Sequence, residues 1–90
     1  MEFEWNKRKA KANLAKHGVA FDEATSVFQD PLFIDFFDPD HSDEEERYII
    51  IGQSQSGRLL VVSYTERSSK TRVISAREAT SKEREAYEEG

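Results

Sequence analysis

A chain of 90 residues with no cysteine has to hold its fold by packing alone. Neither a disulfide framework nor a thiolate zinc site is open to it, and those are the usual remedies for a small core. Hydrophobic residues make up 37% of the chain and aromatic ones 11%, enough for one modest interior if the chain ends contribute or a partner covers one face. A single domain over residues 1–90 is the expectation. No apolar run approaches the roughly 18 residues of a membrane span. The opening Met1-Glu-Phe-Glu-Trp5 has neither the basic start nor the apolar stretch of a signal peptide, so the expected compartment is the cytoplasm.

The order of apolar residues predicts the elements. Glu2 to Trp5 alternates as a short edge strand with Phe3 and Trp5 on one side. Asn6 caps a helix over Lys7 to His17, which has no proline or internal glycine, and Gly18 closes it in a left-handed conformation. A second helix runs from about Asp22 to Gln29, anchored by Phe21, Ala24, Val27 and Phe28. It stops at Asp30-Pro31, because the residue before a proline is pushed out of the helical region. Strands are expected at Leu32–Phe37, Arg47–Gly52, Arg58–Arg67 and Thr71–Ala76, with Gln53–Gly57 joining two of them as a hairpin. Thr80 and Glu83 form a capping box before a last helix that reaches about Glu89 and has only Ala86 and Tyr87 to bury. The predicted fold is α+β: an antiparallel sheet of four to five strands packed with two N-terminal helices and one C-terminal helix. Both faces of the last two strands are apolar, so helices or a partner must cover part of each.

The net charge of −5 hides an uneven layout. Residues 1–20 carry +3, residues 21–46 carry −10, residues 47–77 carry +5 and residues 78–90 carry −3. A phosphate backbone responds to the local field, so the two basic blocks suit nucleic acid if the fold unites them. The acidic run Asp38 to Glu46 is then expected to lie elsewhere, as a solvated loop or as a docking surface for a basic partner.

Within the first helix, Lys7, Arg8 and Lys9 occupy the first turn, where the macrodipole disfavours cations. Helical spacing places Lys9, Asn13, Lys16 and His17 on one polar, basic face. Arg47, Arg67, Arg72 and Arg77 fall on or near strands, whose rigid backbone suits a bidentate hold on phosphate. The plain alternative is that each arginine pairs with a surface acid and that His17 bonds a helix-end carbonyl. No Walker A sequence, Gly-x-Gly-x-x-Gly or Gly-x-Ser-x-Gly elbow is present, and His41 sits among aspartates with no dedicated metal set, so neither metal nor cofactor is expected. Cleaving RNA without a metal needs a base for the 2′-hydroxyl, cations for the phosphorane oxygens and an acid for the departing 5′-oxygen. This composition can supply all three.

The segments Phe3-Glu-Trp-Asn-Lys-Arg-Lys, Asn13-Leu-Ala-Lys-His-Gly-Val-Ala-Phe21, Asp38-Pro-Asp-His-Ser42, Glu46-Arg47, Gly57-Arg58 and Ile74-Ser-Ala-Arg-Glu-Ala79 together resemble the BrnT family. The resemblance spans nearly the whole chain in the right order. It implies a RelE-like fold, endoribonuclease activity that inhibits translation, and neutralisation by a BrnA-like ribbon-helix-helix antitoxin. The expected complex is a heterotetramer that contacts operator DNA mainly through the antitoxin. Two positions depart from the family: Asn6 stands where Asp is common, and Ala20 where Ser, a better helix cap, is common. Carried onto this chain, the chemistry falls to His17 as acid or base and to Arg72 and Arg77 as phosphate and transition-state stabilisers. Lys9, Lys16, Arg47 and Arg67 are the expected RNA contacts. Regular alternation puts Arg72 and Arg77 on opposite faces, so a bend or the strand's end must intervene. A non-catalytic RNA-binding or regulatory protein on the same fold is the alternative, and an interaction protein using the acidic loop is a third.

Overall fold

A computed structural model describes residues 1–90. In chain order come β1 (Glu2–Glu4), α1 (Lys7–His17) and α2 (Phe21–Thr25), which tightens into a 3₁₀ turn at Ser26–Gln29. Next are β2 (Ile34–Phe37), a 3₁₀ turn at Pro39–His41, β3 (Arg47–Gln53), β4 (Leu59–Arg67), β5 (Lys70–Glu78) and α3 (Ser81–Glu89). The sheet order is β1-β5-β4-β3-β2, antiparallel from β2 to β5 with β1 added parallel to β5. This is the expected α+β architecture, apart from the parallel edge.

Local chemistry sets the helix ends. Asn6 Oδ1 accepts from the Lys9 amide at 3.0 Å, and Gly18, at φ 69°, donates its amide to the Leu14 carbonyl. Ala20 gives α2 no side-chain cap. The predicted second helix is cut short because the Thr25 and Ser26 hydroxyls donate to the carbonyls of Asp22 and Glu23, at 2.8 and 2.6 Å, which favours the tighter turn. Thr80 and Glu83 close the capping box of α3.

One face of the sheet carries the main core. Val19, Phe21, Ala24 and Val27 pack on Ile50, Leu60, Val62, Tyr64, Val73 and Ala76, with Phe3, Trp5 and Phe28 around them. The other face is covered only at one end, where Ala79 and Tyr87 lie on Ile51, Leu59 and Val61. Helix α3 buries none of its own residues, and is tied down by the Tyr87 hydroxyl, which donates to Asp30 Oδ2 at 2.6 Å. That bond, with burial, pushes the phenol up to about 12.

Two side chains stitch the helical layer to the sheet. β1 runs beside β5 only over Lys70–Arg72. Further along, the buried Asn13 of α1 serves the exposed edge of β5 as a missing strand would: its Oδ1 accepts from the Ala76 amide at 3.1 Å and its Nδ2 donates to the Ala76 carbonyl at 2.8 Å. The same Nδ2 donates to the Val19 carbonyl at 2.9 Å. Asn13 therefore points inward, and the expected basic face of α1 is reduced to Lys9, Lys16 and His17. The second stitch is Glu23 of α2, which accepts from Arg58 Nε and Nη2 at 3.0 and 2.5 Å and from the Ser54 hydroxyl at 2.7 Å, and also from Ser56. Arg58 Nη2 reaches the Gly18 carbonyl as well, so this arginine joins the β3–β4 turn to the ends of both N-terminal helices.

Candidate functional site

Cross-strand partners share a face, so the registers place every candidate arginine. Arg47 of β3, Thr65 of β4 and Arg72 of β5 form one row that ends at Glu4 of β1. Arg77 stands opposite Val61, and Arg67 shares the parity of Thr65. All four arginines thus project from the sheet face that α3 leaves partly open. Arg72 and Arg77 are five residues apart and would alternate to opposite sides in a regular strand. A β-bulge resolves this: Tyr64 pairs with Val73 and Ser63 with Ser75, leaving Ile74 as the extra residue. The two arginines are on one face but four residue pairs apart, roughly 13 Å along the sheet. They cannot both grip one phosphate from backbone positions so distant without their long side chains converging.

The bulge is also where the helix meets the sheet face. Lys9, Lys16 and His17 of α1 border a shallow groove whose far wall is Ile74 and Ser75. These two residues also border a concavity of about 280 Å³ on the other side, lined by Arg47, Arg77, Ser63, His41 and Asp38 over a floor that includes Ile49 and Val61. Five of the seven sequence-derived candidates, Lys9, Lys16, His17, Arg47 and Arg77, line these two hollows around β5, and Arg72 stands further along the strand in the row of Arg47. Arg67 lies at the far end, beside the acidic loop.

The arginines differ in what already holds them. Arg77 makes a bidentate pair with Glu83 of α3, both contacts 2.8 Å, which brings that carboxyl down to about 2 against the opposing effect of burial. Arg67 pairs with Glu45 at 3.0 and 3.2 Å, and Arg72 with Glu4 at 3.4 Å. The surface ion-pair reading of these three arginines is thereby realised. Arg47 has no carboxylate partner, and its Nε is buried with no hydrogen-bond partner in the protein. A buried guanidinium N–H without an acceptor is costly, which sets Arg47 apart from the three paired arginines.

The acidic run does not lie elsewhere. It connects β2 to the start of β3, so topology sets it beside Arg47 and beside Arg67 at the end of β4. Asp40, Asp43, Glu44 and Glu45 rim the site, and the guanidinium of Arg67, followed by those of Arg47 and Arg72, draws Glu45 below the usual carboxylate range. His41 comes with this loop. Its signal in the sequence was Asp38-Pro-Asp-His41, in which a turn started by proline brings residues i and i+3 together. In the structure His41 Nδ1 lies 2.9 Å from Asp38 Oδ2.

No helix is long and apolar enough to cross a membrane. No curated protein matches the sequence. Among solved structures, the chain is similar to the ribonuclease toxin BrnT of Brucella abortus, solved at 1.1 Å: the TM-score is 0.66 and the identity 25%, over 89% of this chain and 97% of that one. The family model described as the ribonuclease toxin BrnT of type II toxin–antitoxin systems matches residues 5–83, and this chain, with its RelE-like α+β sheet, belongs to that family.

Proposed function

We propose that this toxin acts as one domain over residues 1–90 in the cytoplasm and cleaves RNA without a metal ion, using the bulged stretch of β5 as its centre. The observation that carries the reading is the meeting, at Ile74 and Ser75, of the α1 cations and His17 with the open arginine face of the sheet. The 2′-oxygen attacks phosphorus and the P–O5′ bond breaks, giving a 2′,3′-cyclic phosphate and a 5′-hydroxyl. His17 exchanges a proton with the reacting oxygens, and Arg72 and Arg77 stabilise charge on the phosphorane. Lys9, Lys16, Arg47 and Arg67 hold the flanking backbone. Loss of cellular RNA halts translation. A BrnA-like ribbon-helix-helix antitoxin neutralises the toxin in a heterotetramer, and operator DNA is contacted mainly through that partner.

Purified protein incubated with RNA in EDTA should yield fragments, whereas a non-catalytic binder would give only a shifted band. Among folded variants, His17→Ala, Arg72→Ala and Arg77→Ala should each lower the single-turnover rate at saturating enzyme by about 100-fold. Wild-type cleavage by His17→Ala would remove that histidine from the mechanism.

Salt reports how many cations engage. Lys9, Lys16 and Arg47 have no carboxylate partner, whereas Arg67, Arg72 and Arg77 are already neutralised. Three phosphate contacts on single-stranded RNA predict about 20-fold weaker binding between about 50 and 200 mM salt, and six predict about 300-fold. The expected value is near the smaller figure. A flat binding isotherm midpoint across that range would mean that phosphates are not the main contact.

A further inference from the structure

RNA transphosphorylation moves two protons, one off the 2′-hydroxyl and one onto the 5′-oxygen, and a single histidine at the end of α1 accounts for one of them. We infer that His41, oriented by Asp38, is the general base of this reaction, with Arg47 holding the scissile phosphate beside it. The inference rests on the metal-free ribonuclease reading; it adds His41 and Asp38 and moves Arg47 from the flanking backbone to the scissile phosphate.

Three features converge on this assignment. His41 Nδ1 lies 2.9 Å from Asp38 Oδ2, so the imidazole donates Nδ1–H to the carboxylate and keeps the Nε2 lone pair free to accept a proton. Asp38 is well placed to hold the ring: its side chain is only 12% exposed, its Oδ1 caps the Asp40 amide at 3.2 Å, and Ser42 donates its hydroxyl to the Asp38 carbonyl. The imidazole, 66% exposed, is left accessible to a polymer substrate. It borders the same concavity as Arg47 and Arg77, whose floor of Ile49 and Val61 is apolar. Arg47 is the only one of the four arginines on this face with no carboxylate to displace, and it has a buried Nε–H awaiting an acceptor. His17 approaches from the opposite side of Ile74 and Ser75. In-line displacement needs its acid and base on opposite sides of phosphorus, and a phosphate seated over Ile74 and Ser75 would border both hollows, one carrying His17 and the other His41.

The step is balanced within the RNA and the two imidazoles. Nε2 of neutral His41 takes the 2′-hydroxyl proton as the 2′-oxygen forms its bond to phosphorus. The P–O5′ bond then breaks, and protonated His17 gives its proton to the 5′-oxygen. Asp38 is a positioning residue, since it acts only through His41.

The test uses single-turnover cleavage in EDTA of two RNA substrates, one normal and one with sulfur in place of the bridging 5′-oxygen, a leaving group that needs no acid. His41→Ala and His41→Gln, each checked for folding by circular dichroism, should cleave both substrates about 100-fold more slowly than wild type with RNA affinity unchanged within about twofold. His17→Ala should recover on the sulfur substrate. Asp38→Asn keeps the turn cap but should lower the rate about 10-fold at unchanged affinity, and nitrogen-15 NMR should show loss of the Nδ1–H tautomer of His41. Wild-type rates in both His41 variants would overturn the assignment, as would recovery of the His41 variants by the sulfur substrate, which would make His41 the acid. Wild-type protein that leaves both substrates intact would defeat the metal-free ribonuclease reading itself, and the assignment with it.

Discussion

Replacing Asn13 with leucine should cost about 3 kcal/mol of folding stability, more than a hundredfold in the folding equilibrium. Leucine fits the volume but strips partners from three backbone groups at once: the Ala76 amide, the Ala76 carbonyl and the Val19 carbonyl. Asn13 is 8% exposed, so water is a poor substitute. Asn13→Asp separates the contributions, since it retains an acceptor for the Ala76 amide but aims a carboxylate oxygen at two carbonyls. Its stability should recover as the pH falls and the carboxyl gains a proton. Urea unfolding monitored by circular dichroism measures both variants, and a midpoint within experimental error of wild type for the leucine variant would refute the role. Activity should fall with stability, because Asn13 seats α1 on β5 and thereby places Lys9, Lys16 and His17 beside Ile74 and Ser75.

Glu23→Gln should be the second large loss, about 1–2 kcal/mol near neutral pH. The Arg58 guanidinium first, then the Ser56 and Ser54 hydroxyls, bring this carboxyl from the ordinary 4.5 of glutamate down to about 2, against the opposing effect of burial. A carboxyl whose folded-state pKa is depressed stabilises the fold above its unfolded pKa and loses that contribution as pH falls through the folded value. At full value the shift would correspond to roughly 3 kcal/mol at about 1.4 kcal/mol per unit, and water around the partly exposed Arg58 screens this to about 1–2 kcal/mol. The contribution is therefore complete above about 4.5 and absent below about 2. Unfolding free energies of wild type and Glu23→Gln should differ most at pH 6–7 and converge as pH falls toward about 2. A gap that stays constant with pH would show that the loss comes from packing rather than from the ion pair.

What could be read from the chain beforehand was mostly local. Asn6, Gly18 and the Thr80–Glu83 box act within four residues of themselves, so their types and spacing determine the outcome. The hairpin of β3 and β4 was legible for the same reason. Contacts between distant segments were not. Nothing near Asn13 in sequence indicates that its partner is Ala76, 63 residues away, and by helical spacing alone it belongs with the surface lysines. The parallel pairing of β1 with β5 likewise depends on which sheet edge is free. The bulge at Ile74 exists only relative to Ser63 and Tyr64, so alternation along β5 alone put Arg72 and Arg77 on opposite faces. The charge blocks indicated that basic segments could unite, but the position of the acidic loop follows from strand order, which a sum of charges does not contain. His41 was passed over because a lone histidine in an acidic loop reads as solvated until the carboxylate beside it and the arginine across from it are located.

Glu83 is committed twice: its carboxylate closes the cap of α3 through the Thr80 amide and also fills the fork of Arg77. A phosphate that takes the Arg77 fork must take it from Glu83. Occupancy of the site and seating of the C-terminal helix are therefore thermodynamically linked, and the linkage runs both ways with the same factor. On the proposed mechanism, RNA held by Arg77 should loosen α3, and any partner that presses α3 onto the sheet should weaken the hold on RNA without touching a single reacting group.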